Sequence, residues 1–220
     1  MQTEAIKKRV SIPADQVLLD GMLELPENAG AIVLFAHGSG SSRHSPRNNF
    51  VADVLRRFGT GTLLFDLLTG REETDYQTRF DIPLLTRRLL AAIRWAGQEE
   101  STRHLAIGCF GASTGAAAAL QAAAELGETV AAVVSRGGRP DLAGEEALRR
   151  VRSPTLLLVG GLDDIVIGLN EMAHALLPGK KELVIIPGAS HLFEEPGTLE
   201  EVAERAAAWF KRHLHGRTAA

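Results

Sequence analysis

The chain has 220 residues, 45% of them hydrophobic and 23% charged, with a formal net charge of −3 and a pI near 6.2. That length and balance suit one globular domain, residues 1–220, with a substantial core, and exclude a disordered or fibrous chain. Without a basic surplus, neither nucleic acid nor an anionic membrane is expected as a partner, and the single cysteine, Cys109, excludes an internal disulfide.

The first residues, MQTEAIKKRVSIP, lack an apolar signal core, and neither end carries a lipidation motif, so a cytoplasmic protein is expected. Two alternating runs, Lys8 to Ile12 and Val17 to Leu25, flank Pro13-Ala14-Asp15 and predict an antiparallel hairpin. Ala31 to Ala36 is apolar throughout, as a strand buried on both faces must be. The same signature returns at Thr62 to Phe65, Leu105 to Phe110, Val130 to Val134, Thr155 to Val159 and Leu183 to Ile186. Between them lie helical patterns: Asn48 to Phe58, Ile82 to Trp95, Ala116 to Leu126, Asp141 to Arg150, Leu169 to Leu177 and Leu199 to His213. Strands alternating with helices of this length need crossover connections, which predicts an α/β fold with a mostly parallel sheet covered on both faces. In such sheets, ligands bind in loops at the carboxyl ends of the strands.

Read in order, those loops carry the chemistry. After the first buried strand comes HGSGSSRH, whose small residues let backbone N–H groups approach a ligand; Ser39 N–H is the expected oxyanion donor, with Gly38 next. Arg43, His44 and Arg47 suit either an anionic substrate group or loop anchoring. The charged loop from Asp66 to Phe80 offers Tyr76 and Phe80 as an apolar wall. Arg136 stands at the pocket edge, to bind an anion or to pair with Asp141 or Asp66. Asp163 and Asp164 follow another strand, and His191 lies in the last strand-to-helix loop.

The centre is GASTG, between the strand Leu105 to Phe110 and the alanine-rich helix. Gly-x-Ser-x-Gly at a strand-to-helix turn is the nucleophile elbow, which holds its serine in strained geometry with the hydroxyl exposed. Gly111 and Gly115 stand where a side chain would meet the neighbouring strand or the helix start, and Thr114 supplies a free N–H at the helix's positive end. A membrane span is excluded by the polar and glycine interruptions, and a phosphate loop by Ala116 where lysine is needed. Cys109, inside the strand, reads as a small buried hydrophobe.

A serine hydroxyl needs a base, and the base needs a carboxylate to fix its tautomer. The chain offers Ser113, Asp163 and His191 in the order of the α/β-hydrolase fold, with Asp163 preferred to Asp164 because the turn delivers it first. His37 is read as ordering its loop, and His104, His174, His213 and His215 lie away from the site; no histidine forms a metal-ligand spacing, and neither metal nor cofactor is expected.

HGSGS, GASTG, GGLDDIV and GASH together resemble the α/β-hydrolase superfamily, and within it the small dienelactone-hydrolase-like proteins, from about Val17 to Phe210. The resemblance implies an eight-stranded sheet with the second strand antiparallel, Ser113 as nucleophile, His191 as base, Asp163 as its partner, and Ser39 with Thr114 as oxyanion donors. Dienelactone hydrolase itself uses a cysteine nucleophile, so Ser113 favours general esterase chemistry. Lids in this fold follow the strand ending here at Val134, and the segment to Thr155 is too short for one. A small-molecule ester or lactone is the expected substrate and a monomer or homodimer the expected state. An acyltransferase, an amidase and a non-catalytic binder are the alternatives.

Overall fold

The computed structural model describes residues 4–214, so His215 lies outside the described residues. Eight strands form one sheet: β1 (Ile6–Ala14), β2 (Val17–Leu25), β3 (Ala31–Ala36), β4 (Gly61–Phe65), β5 (Ala106–Ala112), β6 (Val130–Arg136), β7 (Thr155–Gly160) and β8 (Lys181–Ile186). Their spatial order is β1-β2-β4-β3-β5-β6-β7-β8. β2 runs antiparallel to both β1 and β4, and every other pairing is parallel. This is the α/β-hydrolase architecture.

The hairpin closes through Asp15 and Gln16, with Asp15 at φ 54, a conformation that aspartate tolerates. Pro13 lies within β1, where its missing N–H is harmless because β1 is the edge strand.

Among the described residues six α-helices cover the sheet: α1 (Pro46–Arg57), α2 (Ile82–Ala96), α3 (Thr114–Leu126), α4 (Glu145–Arg150), α5 (Asp164–Leu176) and α6 (Thr198–Leu214). Alternation along each strand divides the core in two. Ile32, Leu34 and Ala36 of β3 pack with Leu85 and Leu89 of α2, Ala117 and Leu120 of α3, Leu148 of α4 and Ala173 of α5. Ala31, Val33 and Phe35 face the other way, onto Val51 and Leu55 of α1 and Val202, Ala206 and Phe210 of α6.

Three helices differ from the sequence expectation. α1 starts at Pro46, two residues before Asn48, because Ser45 caps it and accepts from Asn48 N–H while Pro46 occupies the first turn. The helix expected over Asp141 to Arg150 is a 3₁₀ turn, Pro140–Ala143, and a short α4, separated by Gly144 at φ 83. α5 begins at Asp164, well before Leu169. Ile165, Val166, Ile167 and Gly168 are weak helix formers, and packing overrides them: Val166, Asn170 and Ala173 form one buried face. Between β6 and β7 there is only that turn and α4, and no cap domain. Among the described residues no helix is long and apolar enough to cross a membrane.

Candidate active site

β5 ends at Ala112 and α3 begins at Thr114, leaving Ser113 as the turn between them at φ 50, ψ −120. A non-glycine residue holds that conformation only where its surroundings over-determine it. Here Ser113 N–H donates to Arg136 O at 3.2 Å, and Ser113 O accepts from Arg139 N–H at 3.0 Å. The flanking glycines are steric necessities: a Cβ on Gly111 would lie 2.4 Å from Ala116 Cα, and one on Gly115 would lie 2.1 Å from Ala36 O. The sharp turn therefore fits only because β3, β5 and α3 touch through bare backbone. Cys109, four residues before the serine, is fully buried, and burial pushes its thiol up to about 12, which keeps it protonated and inert.

The base and its partner come from the neighbouring strand ends. Gly161 N–H donates to Ile186 O at 2.8 Å and Leu162 N–H to Ala189 O at 2.9 Å, which laces the loop after β7 to the loop after β8. A Cβ on Gly160 would lie 2.5 Å from both Ala189 O and Ser190 O. This close approach sets His191 Nδ1 2.6 Å from Asp163 Oδ2. The carboxylate only accepts, so Nδ1 carries the proton and Nε2 presents a lone pair. Asp164 is exposed in the first turn of α5 and takes no part.

Ser113 and His191 line one cavity of about 230 Å³, together with Gly38, Ser39, Ser45, Arg47, Asn48 and Arg136. Ser113 Oγ makes no hydrogen bond among the described residues. Such contacts often tighten only once substrate is bound. A larger hollow of about 550 Å³, between Pro13, Asp15 and the outer side of α2, contains none of these groups.

His37 organises the loop after β3. Its Nε2 accepts from Leu67 N–H at 3.0 Å, and its Nδ1 therefore donates to Gly38 O at 2.9 Å. Burial holds its pKa below the usual histidine value, so the ring stays neutral, as this bonding requires. A Cβ on Gly38 would lie 3.0 Å from Ser113 Cβ, so glycine lets this loop come up against the elbow. Ser39 follows at the cavity wall, and Thr114 is the first residue of α3, where an N–H has no helical partner.

Two expectations about the rim need correction. Arg43 does not line the cavity: its backbone N–H donates to Asp66 Oδ1 at 2.7 Å, and its guanidinium bonds Asp66 and sits 3.7 Å from Asp20. It anchors the loop, because the two nearby carboxylates outcompete an open pocket. Tyr76 and Phe80 pair with each other at 5.1 Å on the exposed surface and form no cavity wall.

Arg136 does line the cavity, and neither acid considered for it is its partner: Asp66 is held by Arg43, and Asp141 by Arg139 at 2.7 Å. Among the described residues its one side-chain hydrogen bond is from Nη2 to Asn48 Oδ1 at 3.5 Å, and its guanidinium lies 6.0 Å above the Phe193 ring. Asn48 escaped the sequence reading, since an asparagine in a first helical turn signals only a helix start. Among the described residues, no group of three or more His, Cys, Asp or Glu side chains is arranged to hold a metal ion.

A family model described as an alpha/beta hydrolase domain matches residues 29–213. The chain belongs to the α/β-hydrolase family. The chain is similar to a dienelactone hydrolase from Anabaena variabilis, at 56% identity and a TM-score of 0.93, with 97% of this chain and 100% of that one covered. Est1E from Butyrivibrio proteoclasticus, 18% identical, shares the fold at a TM-score of 0.79 over 93% of this chain and 98% of that one. Two Mycobacterium tuberculosis proteins, provisionally named phosphoribosyl transferases, are 55% identical over 209 residues, or 95% of this chain and 47% of theirs. The chain thus spans about half the length of the curated relatives it matches.

Proposed function

We propose that this chain is a serine hydrolase that cleaves small carboxylic esters or lactones through an acyl-enzyme intermediate. The observation that carries the proposal is the 2.6 Å bond from His191 Nδ1 to Asp163 Oδ2, made by an imidazole that shares a cavity with a serine held at φ 50. Ser113 Oγ attacks the ester carbonyl carbon while His191 Nε2 takes its proton, and Asp163 stabilises the imidazolium so formed. The carbonyl oxygen, now an oxyanion, is held by the N–H groups of Ser39 and Thr114, each worth about 3 kcal/mol in such sites. Collapse expels the alcohol, which leaves with the proton from Nε2. Water then attacks the acyl-enzyme, gives its proton to the same nitrogen, and releases the acid with Ser113 restored.

The small uncapped cavity supports substrates with short acyl or small aromatic groups. The phosphoribosyl-transferase name of the relatives belongs to proteins of which this match covers 47%. The test is labelling by a fluorophosphonate probe together with turnover of p-nitrophenyl acetate. Ser113→Ala should lose the label and reduce kcat by about 10⁴- to 10⁶-fold while the circular dichroism spectrum is unchanged. A folded wild-type protein that neither labels nor turns over any ester would instead be a binding protein on this fold.

A further inference from the structure

We propose that Arg136, supported by Arg47 and the first turn of α1, forms an anion subsite beside Ser113, so that the ester cleaved here carries its own carboxylate or phosphate group. This deepens the serine-hydrolase reading above and rests on it. Arg136 ends β6 directly beside the elbow, its carbonyl bonded to Ser113 N–H, yet its side chain is only 7% exposed. A guanidinium out of water normally has a carboxylate or a full set of acceptors, because its desolvation is otherwise uncompensated. This one has neither. Nε and Nη1 are buried without a partner, and Nη2 has only the long bond to Asn48. No salt bridge to Arg136 exists among the described residues.

The surroundings make the deficit larger. Arg47 lines the same cavity and its field, after burial itself, brings Arg136 down to about 10, which still leaves it charged near neutral pH. The Nε of Arg47 is also buried and unpartnered, and among the described residues its only ion pair reaches an exposed Glu194 at 3.4 Å. Both arginines meet at the N-terminal end of α1, whose first turn has no acidic residue and whose Ser45 and Asn48 face the cavity. That end of a helix favours negative charge. The Phe193 ring lies on one side of the guanidinium, 6.0 Å from its carbon, and the unpartnered donor fork suits two oxygens of an oxyanion. An anionic group there completes the donor set and places the rest of the substrate against Ser113.

Matched esters test this: p-nitrophenyl hemisuccinate against its methyl ester, for a carboxylate, and 2-acetoxyethyl phosphate against 2-acetoxyethanol, for a phosphate. At least one anionic member should exceed its neutral partner in kcat/KM by about 10- to 100-fold, the size of one charge-assisted bond, and the ratio should fall close to unity in Arg136→Gln. Inorganic phosphate or acetate should inhibit neutral-ester hydrolysis competitively in the wild type and raise its thermal midpoint. Those two measurements decide the question if Arg136→Gln does not fold. Equal turnover of both members of each pair, with no inhibition and no thermal shift, overturns the anion subsite and leaves the hydrolase standing. Loss of all ester turnover and probe labelling would instead defeat the hydrolase reading, and anion binding would still be read by the thermal shift.

Discussion

Asp163 and Asp164 are adjacent acids with opposite fates, and substitutions should separate them. Asp163→Asn keeps the shape but presents the wrong donor to His191 Nδ1, so kcat should fall by about 10⁴-fold. Asp164→Asn, exposed on α5, should leave kcat within about fivefold, because an exposed charge contributes at most about 1 kcal/mol. Steady-state kinetics on one ester checks both, and a larger loss at Asp164 would reassign the acid. His37 gives a prediction in pH. Burial lowers its proton affinity below the ordinary histidine value of 6.5, so as pH falls through about 6.5 the unfolded chain gains a proton that the folded one refuses. Stability is therefore present above that pH and lost below it. His174 and His213, also lowered chiefly by burial, add to the loss with the same sign. Thermal midpoints measured from pH 7 to 5 should decline, and His37→Gln should show a shallower decline from a lower starting point.

At the scale of elements, the strand-to-helix junctions carry the tightest constraints. Gly115→Ala would drive a methyl into Ala36 O, where backbone cannot yield cheaply, and should destabilise by about 3 kcal/mol or more in urea denaturation. Gly168 is the contrast: it lies in the middle of α5, and a Cβ added there would meet no neighbouring atom within 4 Å. Gly168→Ala should stabilise by about 0.5–1 kcal/mol, since only the helical entropy cost of glycine is removed. α5 is also where local propensity points the wrong way. Its β-branched start reads as loop, and the helix forms there because Val166 and Asn170 find a buried face, Asn170 donating to Gly138 O at 3.0 Å.

For the molecule as a whole, the absence of a cap between β6 and β7 sets the reach of the site. A methylene gains about 0.8 kcal/mol only when a wall covers it, and no cap domain extends the walls of the 230 Å³ cavity. Across p-nitrophenyl esters, kcat/KM should therefore stop rising after short acyl chains, and a steady rise to long chains would contradict the open-site geometry. Much of this plan was legible without coordinates. Unbroken apolar runs, the glycine spacing around Ser113 and the chain order of Ser113, Asp163 and His191 are local or ordinal facts, and backbone sterics translate them directly into a sheet and its strand-end loops. The partners of the arginines were not legible. Arg43 and Arg136 look alike in sequence, yet one lies against Asp66 and the other is left beside Ser113 with open donors, because a long side chain's partner is chosen by groups that only the folded chain brings within reach.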